Sequence, residues 1–275
     1  MSKLTVRFPT FDFSDASPHW GDNEEMVVII NAGAIIPPSI ERYLIRVMRQ
    51  AKKLLDPVAD ADLIEDIELF NKQEGQHLKI HSDLMNMLRD NGYPRIVEFE
   101  AAFAKDLNEF LETKPLEWNL AYCEGFECTG VAMADAWING DIQELCGDHG
   151  SEPMRLWMWH MAEEFEHRSV IHDVLERLYG PEKAFALRTQ GADFNRQHNA
   201  DHAVAAATYL HEVNRQGMSE EERAASEARE MEAWLAMGAA SGDRMMWVYE
   251  EDYDPAKVEP PIGYGELLAP YDADA

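Results

Sequence analysis

Two stretches of the chain carry the same pair of side chains at the same spacing: Glu74-Gly75-Gln76-His77 and Glu164-Phe165-Glu166-His167. On a helix, at about 100° per residue, a three-residue step sets carboxylate and imidazole side by side on one face. Each pair has a second imidazole close by: His81 follows His77 by four residues, and His160 precedes Glu164 by four. His77 and His81 fall within about 60° of Glu74 on a helical wheel, among Phe70, Leu78, Leu84 and Met85. His160, Glu163, Glu164 and His167 share an arc of about 100°, which Trp157 and Ile171 continue. These groups therefore occupy apolar stripes, where a purely structural helix would place leucine. Burying them there costs several kcal/mol unless a cation or a hydrogen-bond network compensates.

Two Glu-x-x-His steps, completed by one Glu from each of two further helices, form the ligand set of carboxylate-bridged di-iron or di-manganese centres in four-helix bundles. Carboxylates bridge two cations about 3.5–4 Å apart, and imidazoles suit iron better than magnesium or calcium. Glu41 lies in a stripe with Leu44, Ile45 and Met48 and supplies the first lone carboxylate. Glu127 is centred among Leu120, Cys123, Gly130, Val131 and Ala134 and supplies the second, with Glu124 at the stripe's edge as the fallback. Glu163 is also one turn from His167 and stays open as an alternative, whereas Glu166 points away, to solvent. His81 and His160 are either further ligands or partners that orient the carboxylates. The expected metal set is Glu41, Glu74, His77, His81, Glu127, His160, Glu164 and His167, holding two iron ions, with manganese or zinc as substitutes.

Long helices must position these groups. Residues 1–36 read as an irregular lead with a strand-like Val27-Val28-Ile29-Ile30. Pro37-Pro38-Ser39 starts a helix over 39–55, and a second over 62–90 stops at Asn91-Gly92-Tyr93-Pro94. A short amphipathic segment covers 95–112. Helices over 115–144 and 151–179 follow, the latter stopping at Gly180-Pro181, and a fifth spans 182–215. A sixth begins at Ser219, where Ser219-Glu220-Glu221-Glu222 has capping-box spacing. From about residue 252 the tail is acidic and rich in Pro and Gly. The fold class is all-α: a four-helix bundle over 37–215 with a dinuclear centre, then a C-terminal helix and irregular tail over 216–275 packed on it. His198, His202 and His211 on the fifth helix read as surface or pocket polar residues, with a second metal site as the alternative.

The chain has 275 residues, 46% of them apolar, enough for a globular interior. A net charge of −28 disfavours binding to nucleic acids and anionic membranes, which require clustered Lys and Arg. Three cysteines without a C-x-x-C pattern imply neither disulfide framework nor zinc ribbon. The start, Met1 to Arg7, lacks the apolar core of a signal peptide, and the longest apolar run, Met26 to Pro38, is too short to span a bilayer. The expectation is a soluble cytoplasmic protein.

Glu41-Arg42-Tyr43, Gln73-Glu74-x-x-His77-x-x-x-His81, Gly125-Phe126-Glu127-Cys128 and Trp159-His160-x-x-Glu163-Glu164-x-Glu166-His167-x-x-Val170 resemble a bacterial family of predicted metal-dependent hydrolases. The resemblance covers about residues 25–200 and implies a ferritin-like fold. The third motif departs most: where that family has Ala-Leu-Glu-His-Phe-Thr-Ala, the chain has Gly125-Phe126-Glu127-Cys128-Thr129-Gly130-Val131. His160-x-x-x-Glu164-x-x-His167 is similar to the fourth-helix motif of the p-aminobenzoate N-oxygenase group, in which the extra His is a ligand.

The leading expectation is a non-haem di-iron oxygenase or oxidase acting with O2 and an electron donor on a small apolar or aromatic molecule, as a monomer or homodimer. The alternative is a dinuclear metal-dependent hydrolase of an ester, amide or phosphoester. A third is an iron-binding or storage protein, which the added C-terminal helices fit poorly.

Overall fold

Asn23 opens the first helix by accepting a hydrogen bond from the Met26 amide. In the computed structural model, which describes residues 4–148 and 150–272, that helix is α1, Glu24–Gly33. It corrects the strand-like reading of Val27–Ile30 and confines the irregular lead to the residues before it. A short apolar run reads the same as buried helix or buried strand. Here Met26 to Ile30 are buried all round the helix. Asn31 is satisfied in that setting, accepting from Trp20 Nε1 and donating to Pro18 O.

The remaining helices are α2 (Pro37–Ala51), α3 (Ala61–Asp90), α4 (Ile96–Thr113), α5 (Leu116–Ile138), α6 (Asp141–Cys146), α7 (Glu152–Glu166), α8 (Val170–Tyr179), α9 (Pro181–Asn214), α10 (Glu220–Met245) and α11 (Tyr264–Leu268). No strand occurs among the described residues, so the chain is all-helical. Pro37 and Pro38 start α2, where missing amide protons cost nothing, and the capping box at Ser219 forms as expected.

Two expected helices are broken. The one over 115–144 stops at Ile138, because Gly140 adopts φ +94 and turns the chain into α6. The one over 151–179 stops at Glu166. His167 leaves helical geometry at ψ 14, and the Arg168 guanidinium donates to Phe165 O and to Pro255 O of the distant tail. Neither proline nor glycine marks this second break.

Four helices close a ring: α2 packs on α3, α3 on α7, α7 on α5, and α5 on α2. Outside the ring, α9 lies along α5, while α10 packs on α1 and α5. The α5–α9 approach requires glycine. A Cβ on Gly191 would sit 1.7 Å from Ala121 O, and one on Gly125 would sit 2.3 Å from the Gly191 carbonyl. Two buried arginines fasten the ends of the chain. Arg7 donates to Glu163, Glu166 and Asp272, and Arg188 donates to the carbonyls of Val248, Glu250 and Tyr253. The expected solvent-facing Glu166 is thus a partner of Arg7 and of Gln73 Nε2. Cys123, Cys128 and Cys146 are free and buried. Among the described residues no helix is long and apolar enough to cross a membrane.

Candidate metal centre

The ring gathers the expected residues from four helices: Glu41 from α2, Glu74, His77 and His81 from α3, Glu127 from α5, and His160 and Glu164 from α7. His167 follows directly on the last turn of α7. All eight are at most 1% exposed.

Seven of them, all but Glu127, form two adjoining groups, Glu74/His77/Glu164/His167 and Glu41/His81/His160, and within each group the candidate ligand atoms lie within 4.8 Å of one another. Glu164 joins the two. Its Oε1 is 2.7 Å from His160 Nε2, 3.5 Å from His77 Nδ1 and 3.9 Å from His167 Nε2. Glu74 Oε1 is 3.3 Å from His167 Nε2, and Glu41 Oε1 is 3.6 Å from His160 Nε2. Glu127 stands behind His167, its Oε2 2.8 Å from Nδ1. The fallback, Glu124, turns instead to His172 on α8, at 3.3 Å from Nδ1. Glu163, the open alternative on α7, faces away from the cluster centre: it accepts from Arg7 Nη1 and meets His77 Nε2, both at 3.1 Å.

His77 and His167 are each held by one nitrogen, whereas His160 is engaged through both, Nε2 with Glu164 and Nδ1 with His81. His77 meets Glu163 through Nε2 and turns Nδ1 toward Glu164 Oε1. His167 donating through Nδ1 to Glu127 leaves Nε2 facing Glu74. His81 reaches the cluster only through His160, with 2.7 Å between His81 Nε2 and His160 Nδ1. A ring nitrogen fixed by a carboxylate, with the other free, is the arrangement metal-ligating histidines adopt.

Many of the remaining donor atoms are orphaned. Both oxygens of Glu41 and of Glu74, Oε1 of Glu127, Oε2 of Glu164, Nδ1 of His77 and Nε2 of His167 are buried without a hydrogen-bond partner. Isolated buried carboxylates are strongly unfavourable, so this donor set fits cations. Gly130 adds space: a Cβ there would come 2.9 Å from Glu164 Oε2. Burial, reinforced by repulsion among the carboxylates, pushes Glu41, Glu74 and Glu127 well above the usual carboxylate range. Burial acts on Glu164 too, but His167, His160 and His77 outweigh it and hold Glu164 well below that range. His77 is pushed up to about 10: burial opposes its charge, and the neighbouring carboxylates of Glu163 and Glu164 prevail. Burial and the neighbouring His77 lower His160 to about 4, and burial likewise lowers His81.

A pocket of about 260 Å³ touches His160 and Glu164, with walls from Ile36, Phe126, Met133, Trp137, Trp157 and Met161. Hollows of about 270 Å³ beside Tyr271 and about 480 Å³ beside Arg229 touch none of the clustered residues. The smaller, apolar pocket is therefore the one connected to the chemistry. Trp157, on its wall, carries a buried Nε1 with no partner. Spacing along the chain does not point to Arg7 or His172, and it places Gln73 in a motif without giving it a role. Arg7 lies 156 residues from Glu163, a separation that no local pattern reports.

Fold and site together define an all-helical protein with a buried carboxylate–imidazole centre suited to metal. The chain belongs to the family described as predicted metal-dependent hydrolase, whose model matches residues 5–259. No curated protein and no solved structure matches it. The family description agrees with the hydrolytic alternative of the sequence reading rather than with its leading oxygenase expectation. The similarity to p-aminobenzoate N-oxygenases has no counterpart among these matches.

Proposed function

We propose that the chain is a dinuclear metal-dependent hydrolase of a small, largely apolar ester, amide or phosphoester. On this reading Glu41, Glu74, His77, Glu127, His160, Glu164 and His167 hold two cations in a ferritin-like bundle, and His81 orients His160. The observation that carries the reading is Glu164: one buried carboxylate oxygen within 4 Å of three imidazoles, at the junction of two donor groups. Family membership adds its support.

Two cations held there lower the pKa of water and polarise a carbonyl or phosphoryl oxygen. The protein does the rest. Glu163, neutralised by Arg7, holds His77 through Nε2, and Glu127 holds His167 through Nδ1 while presenting Oε1. The apolar walls of the pocket exclude bulk water and select an apolar substrate. The Trp157 Nε1–H gives that substrate a hydrogen-bond donor beside His160.

A second reading keeps the same ligands but loads iron and uses O2 with an electron donor on a small apolar or aromatic molecule. It is favoured by three imidazoles among four carboxylates, a donor set well suited to iron, beside an apolar pocket. Metal and oxygen dependence separate the two. The zinc- or manganese-loaded protein should hydrolyse chromogenic carboxylic and phosphoric esters without O2. Turnover that requires iron, a reductant and O2 would overturn the hydrolytic reading in favour of the second.

A further inference from the structure

Asp106 on α4 faces α9, where His198 and His202 stand one turn apart on the same side of the helix. Both imidazoles approach one carboxylate oxygen: Asp106 Oδ2 is 3.3 Å from His198 Nε2 and 2.9 Å from His202 Nε2. One candidate ligand atom from each residue lies within 4.8 Å of the other two. Tetrahedral zinc with bonds of about 2.0–2.1 Å separates neighbouring donors by about 3.3 Å. Asp106 Oδ2 lies within a few tenths of an ångström of that separation from both imidazole nitrogens.

The surroundings point the same way. His198 Nδ1 is 2.8 Å from Tyr122 OH, which in turn is 3.3 Å from Asn199 Oδ1. With Tyr122 donating to Asn199 and accepting from His198 Nδ1–H, the Nε2 lone pair is left facing Asp106. A ligand histidine fixed through its other nitrogen is the usual arrangement around a metal. Phe103 packs on both rings, at 5.2 and 5.1 Å between centroids, and forms an apolar wall behind them. The other side is open. The side chains of His198, His202 and Asp106 are 13%, 18% and 38% exposed, so an ion and a completing water can enter.

We propose that Asp106, His198 and His202 form a mononuclear site for a divalent transition metal, zinc by preference, that ties α4 to α9. It shares no residue with the interior centre and does not depend on the function proposed for that centre. Two imidazoles, one carboxylate and an open fourth position suit zinc. Because α9 lies along α5 through Gly125 and Gly191, an ion here would fix α4 against the outer face of the bundle.

The test titrates metal-free protein with Zn2+ against a chromogenic chelator and with Co2+ read by its visible absorption. Asp106→Asn and His202→Gln should each bind one ion fewer per chain than the parent, with unchanged far-UV circular dichroism. A His77→Ala/His167→Ala variant, which disables the interior centre, should keep one Co2+ with a tetrahedral spectrum. In the parent, zinc should slow amide exchange in α4. Equal stoichiometry in parent and folded Asp106→Asn would overturn the proposal. So would absence of tetrahedral Co2+ from protein in which all three residues are intact. Either result would leave Asp106 as a simple acceptor for two imidazole N–H groups.

Discussion

Glu163 and Glu164 are neighbours in the chain, yet one backs His77 from behind and the other joins the two donor groups. Removing the backing charge should act through the imidazole it holds. Glu163→Gln is expected to weaken metal binding about 10–100-fold, read by chelator competition, while one ion pair from Arg7 to Glu166 remains to keep the fold. The raised carboxylates set the pH dependence. Glu41, Glu74 and Glu127 stay protonated in the metal-free protein at pH values where an exposed glutamate, near about 4.3, is already ionised. Cations must displace those protons, so affinity rises with pH and falls on acidification through the raised values. Calorimetry in buffers of different ionisation heat should register proton release. An affinity constant from about pH 5 to 8 would contradict it. At this scale the sequence was informative, because helical periodicity alone put the eight donors on apolar stripes. The stripe also centred Glu127 and left Glu124 at its edge, but the separate position of Glu163 was not legible, since Glu163 and Glu164 share the arc that faces His167.

The helices differ in how well their limits could be read. Asn139-Gly140 is a stop signal that helical continuity overrode in the reading of α5, whereas the break after Glu166 depends on Arg168 reaching Pro255 O. Glycines separate packing from site geometry. Gly191→Ala would drive a Cβ into Ala121 O, rigid backbone, and should cost about 3 kcal/mol or more, visible as a lower urea midpoint. Gly130→Ala meets only the end of the Glu164 side chain. It should leave the midpoint nearly unchanged while reducing the number of ions bound. If Gly130→Ala instead unfolded the protein as readily as Gly191→Ala, Gly130 would be a packing residue and not a cradle for the centre.

Across the whole molecule, the interior concentrates carboxylates whose charges, apart from those that Arg7 meets at Glu163 and Glu166, only protons offset until cations arrive. Metal should therefore stabilise the fold: about 2.7 kcal/mol at a hundredfold excess over Kd, or about 5–10 °C in Tm for a chain of this size. Scanning calorimetry with and without chelator checks this, and an unchanged Tm on saturation would speak against an interior metal site. The two ends of the chain share in that interior, since Arg7 of the lead bonds Glu163, Glu166 and Asp272 of the tail. Local sequence determined the all-helical class and the candidate carboxylates and imidazoles: apolar runs at helical period, punctuated by proline and glycine, admit few alternatives to long helices, and Glu-x-x-His repeats within them. Only the tertiary structure decided which carboxylate faces which imidazole, where Arg7 is spent, why α7 ends at Glu166, and that Val27–Ile30 is helical. Those outcomes depend on contacts between residues far apart in the chain, whose energies exceed local preference and leave no trace in spacing.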